Sequence, residues 1–102
     1  VAVLNGTIGL QMSLILAGTK KNDEVIVPSF TYVATVNPIK YLGAKPIFVD
    51  SNFKTFQIDV KKIEKAINSK TKAIIPVDIG GTACDILKIK EVLKTHELLI
   101  RF

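Results

Sequence analysis

The sequence predicts an α/β fold built on a parallel sheet, on three observations. Short β-branched runs, VIV (25–27), PIFVD (46–50) and KAIIPV (72–77), are continuously apolar rather than alternating, as expected of strands buried on both faces. Longer segments with helical spacing lie between them. Boundary residues agree: Gly18 and Gly43 follow helical segments where a left-handed residue ends a helix, and Asp59 and Asp85 precede helices as N-caps. A β-α-β period of this kind implies crossovers that are right-handed.

Taken in order, VAVL (1–4) is a possible outer strand, followed by a helix over 7–17. The VIV strand leads into a helical segment at 31–42. There Pro38 removes a backbone donor and crowds the carbonyl of Ala34, so a kink or a short helix is expected. After the PIFVD strand comes a helix over 59–68, with Val60, Ile63 and Ile67 on one face and lysines on the other. The KAIIPV strand then precedes a helix over 85–95, where Ile86, Ile89 and Leu93 share a face. LLI (98–100) is a possible fifth strand. No internal repeat or low-complexity linker interrupts the series. Both ends fall inside apolar strand-like runs, so the chain reads as a piece of a larger domain.

Composition narrows the function classes. With 102 residues, 48% of them hydrophobic, the chain holds one domain at most. No apolar run approaches the roughly 18 residues of a membrane-spanning helix, and the start lacks the basic region of a signal peptide, so a soluble, cytoplasmic protein without membrane partners is expected. The net charge of +5 comes from lysines scattered along the chain, most of them on predicted helix exteriors, without a basic stripe interleaved with aromatics, so nucleic-acid binding is not expected. One cysteine, Cys84, and one histidine, His96, leave no internal disulfide and no Cys/His zinc set, and no metal is expected.

Three segments could carry chemistry. In LNGTIGLQMSL (4–14), Asn5, Gly6 and Thr7 stand at a turn into a helix. The amides of Gly6, Thr7 and Ile8 either form an ordinary capped helix start or hold a phosphate group, to which Thr7 adds a hydroxyl. Neither a dinucleotide fingerprint nor a P-loop is present. In PSFTY (28–32), a strand end turns into a helix at the sheet edge where ligands of α/β proteins gather. There Tyr32 either offers its ring face to a planar ligand or packs with Phe30 on the sheet, while Ser29 or Thr31 caps the helix. In PVDIGGTACD (76–85), Asp78 faces the same edge or hydrogen-bonds its own turn. Cys84 reads as a packing residue, and His96 as a residue of the helix C-terminus.

Taken together, NGTIGLQMSLILAG, DEVIVPSFTYVATVNPIKYLGAKPIFVD and TKAIIPVDIGGTACDI resemble the DegT/DnrJ/EryC1/StrS family of sugar aminotransferases, over about residues 4–99. The resemblance implies the aspartate-aminotransferase fold, fold type I, of pyridoxal-phosphate enzymes, with the 102 residues forming part of the three-layer large domain that binds the cofactor. It implies a homodimer that transfers an amino group from glutamate to a nucleotide-linked keto sugar in the synthesis of polysaccharides or other glycans. By the same resemblance Thr7 and the backbone amide of Ile8 hold the cofactor phosphate, and Tyr32 stacks on its pyridine ring.

The family's acidic strand end, whose aspartate pairs with the pyridine nitrogen, is replaced here by Arg101 and Phe102. The Schiff-base lysine of the family lies beyond this chain. No catalytic residue is therefore assigned, and the 102 residues alone are expected to be inactive and to hold pyridoxal phosphate weakly or not at all. The alternatives are an inactive remnant, a noncatalytic α/β module for a phosphorylated ligand, or a relative of the pyridoxal-phosphate sugar dehydratases.

Overall fold

The computed structural model describes residues 1–96. Strands β1 (Glu24–Pro28), β2 (Lys45–Val49) and β3 (Thr71–Ile74) form one sheet in the order β2-β1-β3, with both pairings parallel. β1 meets β2 in unbroken register from Glu24 opposite Lys45 to Pro28 opposite Val49. Against β3 the register slips once: Glu24 faces Thr71, but Val25 faces Ala73, so Lys72 is the extra residue of a bulge.

Alternation along β1 divides the core. Val25 and Val27 point to one face, where they pack with Leu14 of α1 (Gly6–Leu16) and Ile39 of α2 (Asn37–Tyr41). Ile26 points to the other, with Ile63 of α3 (Val60–Ala66) and Ile89 and Leu93 of α4 (Ile86–Thr95). Both faces of the sheet are thus covered by helices, giving three layers, and this is why Val25, Ile26 and Val27 of β1 are apolar in succession rather than at every second position. Ile26, Ile63 and Ile89 are fully buried, and each contributes about 1.5–3 kcal/mol by leaving water.

The helix boundaries follow their capping residues. Asp59 Oδ1 accepts from Lys61 N at 3.0 Å, and Asp85 Oδ1 from Lys88 N at 3.1 Å, each satisfying an amide that the first turn leaves without a partner. Gly43, at φ 73°, closes α2, and a Cβ there would lie 3.2 Å from Lys21 Cγ.

Four expectations change. The segment expected as one helix over 31–42 is a 3-10 turn, Val33–Thr35, followed by the five-residue α2, with Pro38 in the first turn of α2, where a missing amide costs nothing. The helix expected to reach residue 68 ends at Ala66 because Ile67 turns extended, at ψ 133°. The third strand stops at Ile74, although Ile75 still donates to Ile26 O at 2.8 Å. Residues 1–4 form no strand: Val1 and Leu4 are exposed and pair with neither β2 nor β3, and an apolar run becomes a strand only where a ladder receives it. The expected strand at 98–100 lies outside the described residues.

Candidate functional site

The start of α1 is built by Asn5. Its extended backbone, φ −161° and ψ 174°, makes it the N-cap, with Oδ1 accepting from Ile8 N at 3.0 Å and the carbonyl accepting from Gly9 N at 3.1 Å. No described residue accepts from the amides of Gly6 and Thr7, which point out of the helix start. The space beside Gly6 is open, with no heavy atom within 4 Å of where a Cβ would stand. No acidic residue occupies the first turn, so the positive end of the helix dipole is not neutralised. Two free amides, the hydroxyl of half-buried Thr7 and this dipole form a donor set suited to an anion. Of the two predicted phosphate contacts, Thr7 presents a free amide, whereas the Ile8 amide is occupied by the Asn5 side chain.

The second segment leaves the carboxyl end of β1 and enters the 3-10 turn, which α1 touches. Its anchors are successive. Ser29 N donates to Val49 O at 2.9 Å and Ser29 Oγ to Asp50 Oδ1 at 3.3 Å. The ring of Phe30 lies 6.2 Å from that of Phe56, tilted at 55°. The hydroxyls of Thr31 and Thr35 share a hydrogen bond of 2.8 Å. Tyr32 follows these three tethered residues; its carbonyl accepts from Thr35 N at 3.0 Å, and the residue is 77% exposed. The expectation that Ser29 or Thr31 caps a helix is corrected: the residue at the cap position is Tyr32, no side chain caps the turn, and both hydroxyls are used elsewhere. Packing of Tyr32 and Phe30 on the sheet is likewise excluded by their exposure.

Asp78 serves its own turn. Its Oδ1 accepts from Cys84 N at 2.9 Å, which lowers the carboxyl pKa and closes the loop around Gly80 and Gly81, both at positive φ. Burial pushes the Cys84 thiol from its ordinary 9.0 up to about 11, and the hydrogen bond and charge of Asp78 add to the rise. Cys84 packs beside the α3–α4 core, as a thiol held protonated would. His96 ends α4, with Nε2 3.7 Å from Glu64 Oε1.

Two contributors were not singled out from the sequence. The sequence predicts a capped helix start without singling out Asn5 as the cap, although asparagine before a helical run is a strong capping signal. Gln57 is buried, and its Nε2 donates to Thr82 O at 2.7 Å, joining the loop after β2 to the loop before α4; no local signal marks such a distant contact.

Comparison with known proteins agrees with this architecture. The sequence pattern of the DegT/DnrJ/EryC1/StrS aminotransferase family matches residues 1–101. The chain is 49% identical over 98 residues to GDP-perosamine synthase of Escherichia coli O157:H7, a match covering 96% of this chain and 27% of that protein. Among solved structures it resembles NtdA of Bacillus subtilis with bound cofactor PMP, at a TM-score of 0.89 and 38% identity, covering 93% of this chain and 22% of that one. It also resembles 3-amino-5-hydroxybenzoic acid synthase, at a TM-score of 0.94 and 30% identity, covering 98% and 26%. The chain thus spans about a quarter of the length of the curated relatives that it matches. With its three-stranded parallel sheet superimposing on part of these enzymes and its sequence matched almost throughout, the chain belongs to the DegT/DnrJ/EryC1/StrS aminotransferase family.

Proposed function

We propose that this chain forms part of the cofactor-binding large domain of a pyridoxal-phosphate sugar aminotransferase, one that acts in the cytoplasm as a homodimer and moves an amino group from glutamate to a nucleotide-linked keto sugar for glycan synthesis. The GDP-perosamine synthases among its relatives favour a GDP-linked sugar as that substrate. The observation that carries the reading is the acid-free start of α1, with free Gly6 and Thr7 amides, on a helix that touches the turn bearing exposed Tyr32.

The residues fit the cofactor. The Thr7 amide and hydroxyl meet the phosphate, and the open space at Gly6 lets the group approach the backbone. The Ile8 amide joins them when Asn5 Oδ1 shares or releases it. Tyr32 supplies a flat apolar surface for the pyridine ring, its position set by the tethers at Ser29, Phe30 and Thr31. The bound cofactor supplies the electron sink for amino transfer; the residues of this chain hold and orient it.

A titration followed by amide and ring resonances tests this reading. PMP is expected to shift Gly6, Thr7, Ile8 and the Tyr32 ring together, inorganic phosphate to shift the three amides alone, and Thr7→Ala to weaken both responses. Equal responses to the two probes with Tyr32 unmoved would favour a noncatalytic module for phosphorylated ligands. A PMP response that falls on other residues and spares these positions would refute the phosphate and ring assignments.

A further inference from the structure

Phe56 is held against its own backbone preference. Its φ is 60°, in the left-handed region, where a bulky aromatic is an outlier; the other such non-glycine residue among those described, Asn22, is of a type enriched there. Hydrogen bonds of its loop fix this conformation. Asn52 Oδ1 accepts from Lys54 N at 2.9 Å, Phe56 N donates to Asn52 O at 2.9 Å, and Asn52 N donates to Gln57 O at 2.7 Å. The core has no use for the ring, since Phe56 is 58% exposed and belongs to neither apolar cluster. What the ring meets is Phe30, at a separation and tilt that aromatic pairs favour. In the turn bearing Tyr32, Ser29 and Thr31 are held by hydrogen bonds, and Phe30 between them is held by this ring contact.

We infer that Phe56 is a positioning residue: its left-handed backbone aims the ring at Phe30 and so fixes the turn that presents Tyr32. Strain of this kind persists where the surrounding structure imposes it, and it concentrates at ligand sites. The functional meaning of the brace rests on the proposed role of Tyr32 as a platform for the cofactor ring; the brace itself does not.

The test is nitrogen-15 relaxation of the Phe30, Thr31 and Tyr32 amides in the chain and in Phe56→Gly, Phe56→Leu, Phe56→Tyr, Phe30→Leu and the double variant Phe30→Leu/Phe56→Leu. Order parameters of about 0.85 are expected in the parent and in Phe56→Tyr, which keeps a ring, falling below about 0.6 in Phe56→Gly, Phe56→Leu and Phe30→Leu. The double variant is expected to lose no more order than either single one. The urea midpoint of Phe56→Gly is expected to be no lower than that of the parent, because glycine relieves the backbone. Unchanged order at Phe30–Tyr32 in Phe56→Gly and Phe56→Leu would overturn the inference. So would loosening in Phe56→Tyr equal to that in Phe56→Gly, or loss of order spread over the whole chain. The PMP response of the Tyr32 ring is read separately: if PMP shifts other residues and spares this ring while the order parameters behave as expected, the brace stands and the cofactor reading fails.

Discussion

Cys84 offers a quantitative test of the loop that Asp78 closes. With its thiol raised from 9.0 to about 11, Cys84 carries roughly a hundredfold less thiolate near neutral pH than an unperturbed cysteine. A more basic thiolate is also a better nucleophile, by about six- to tenfold for a rise of this size, so the net alkylation rate should fall by roughly one order of magnitude. The assay is iodoacetamide labelling against pH, with the urea-unfolded chain as reference. The folded rate should keep rising tenfold per pH unit past 9 and level off near 11, while the unfolded rate levels off earlier. Asp78→Asn removes the negative charge but keeps an acceptor for Cys84 N, so its plateau should move down without reaching that of the unfolded chain, because burial remains the larger cause. A folded-state plateau at or below 9 would refute this account of the loop.

Other expectations concern stability. Ile26→Ala, at the centre of the sheet, should cost about 2–5 kcal/mol in urea denaturation, since the residue is fully buried between β1 and the α3–α4 layer. Gly43→Ala should cost about 1–2 kcal/mol, from a left-handed backbone and from crowding against Lys21; an unchanged midpoint would contradict both. Asp59→Ala, which removes the cap of α3, should cost about 1 kcal/mol, read as a lower urea midpoint. The carboxyls of Asp78 and Asp85 are both lowered below 3.8 by amides that donate to them, from Cys84 and Lys88. Their contribution is therefore complete above the unfolded value and lost as pH falls through the lower folded values. A denaturation series into acid should show stability falling there, and less steeply in the double Asn variant.

The layers were legible because each rests on a local pattern: continuous β-branched runs for β1 and β2, one-sided isoleucines for α3 and α4, and aspartates at two helix starts. Pro38 announced a short helix, and the 3-10 turn before it matched no recognised spacing. VAVL misled because an apolar run records a preference for burial without naming the ladder that would receive it. At the candidate site, Thr7 and Tyr32 were visible as residue types at a sheet edge. Their surroundings were not. The Asn5 cap carried a local signal, but its hold on the Ile8 amide, and the contact of Phe56 with Phe30 across 26 positions, depend on backbone angles that no periodicity encodes.

The all-parallel sheet has a consequence for how the chain reaches this structure. Glu24 must find Lys45 across α2 and then Thr71 across α3, and among the described residues no hairpin joins two strands of the sheet. Each doubling of a closed loop costs only about 0.6 kcal/mol, so the order of the two closures is weakly set by distance along the chain. What they share is that neither strand pairing is rewarded until a helix has docked on it. Folding should therefore pass a barrier at which β1, one helix layer and one neighbouring strand assemble together, and mutations in β1 should slow folding more than they speed unfolding.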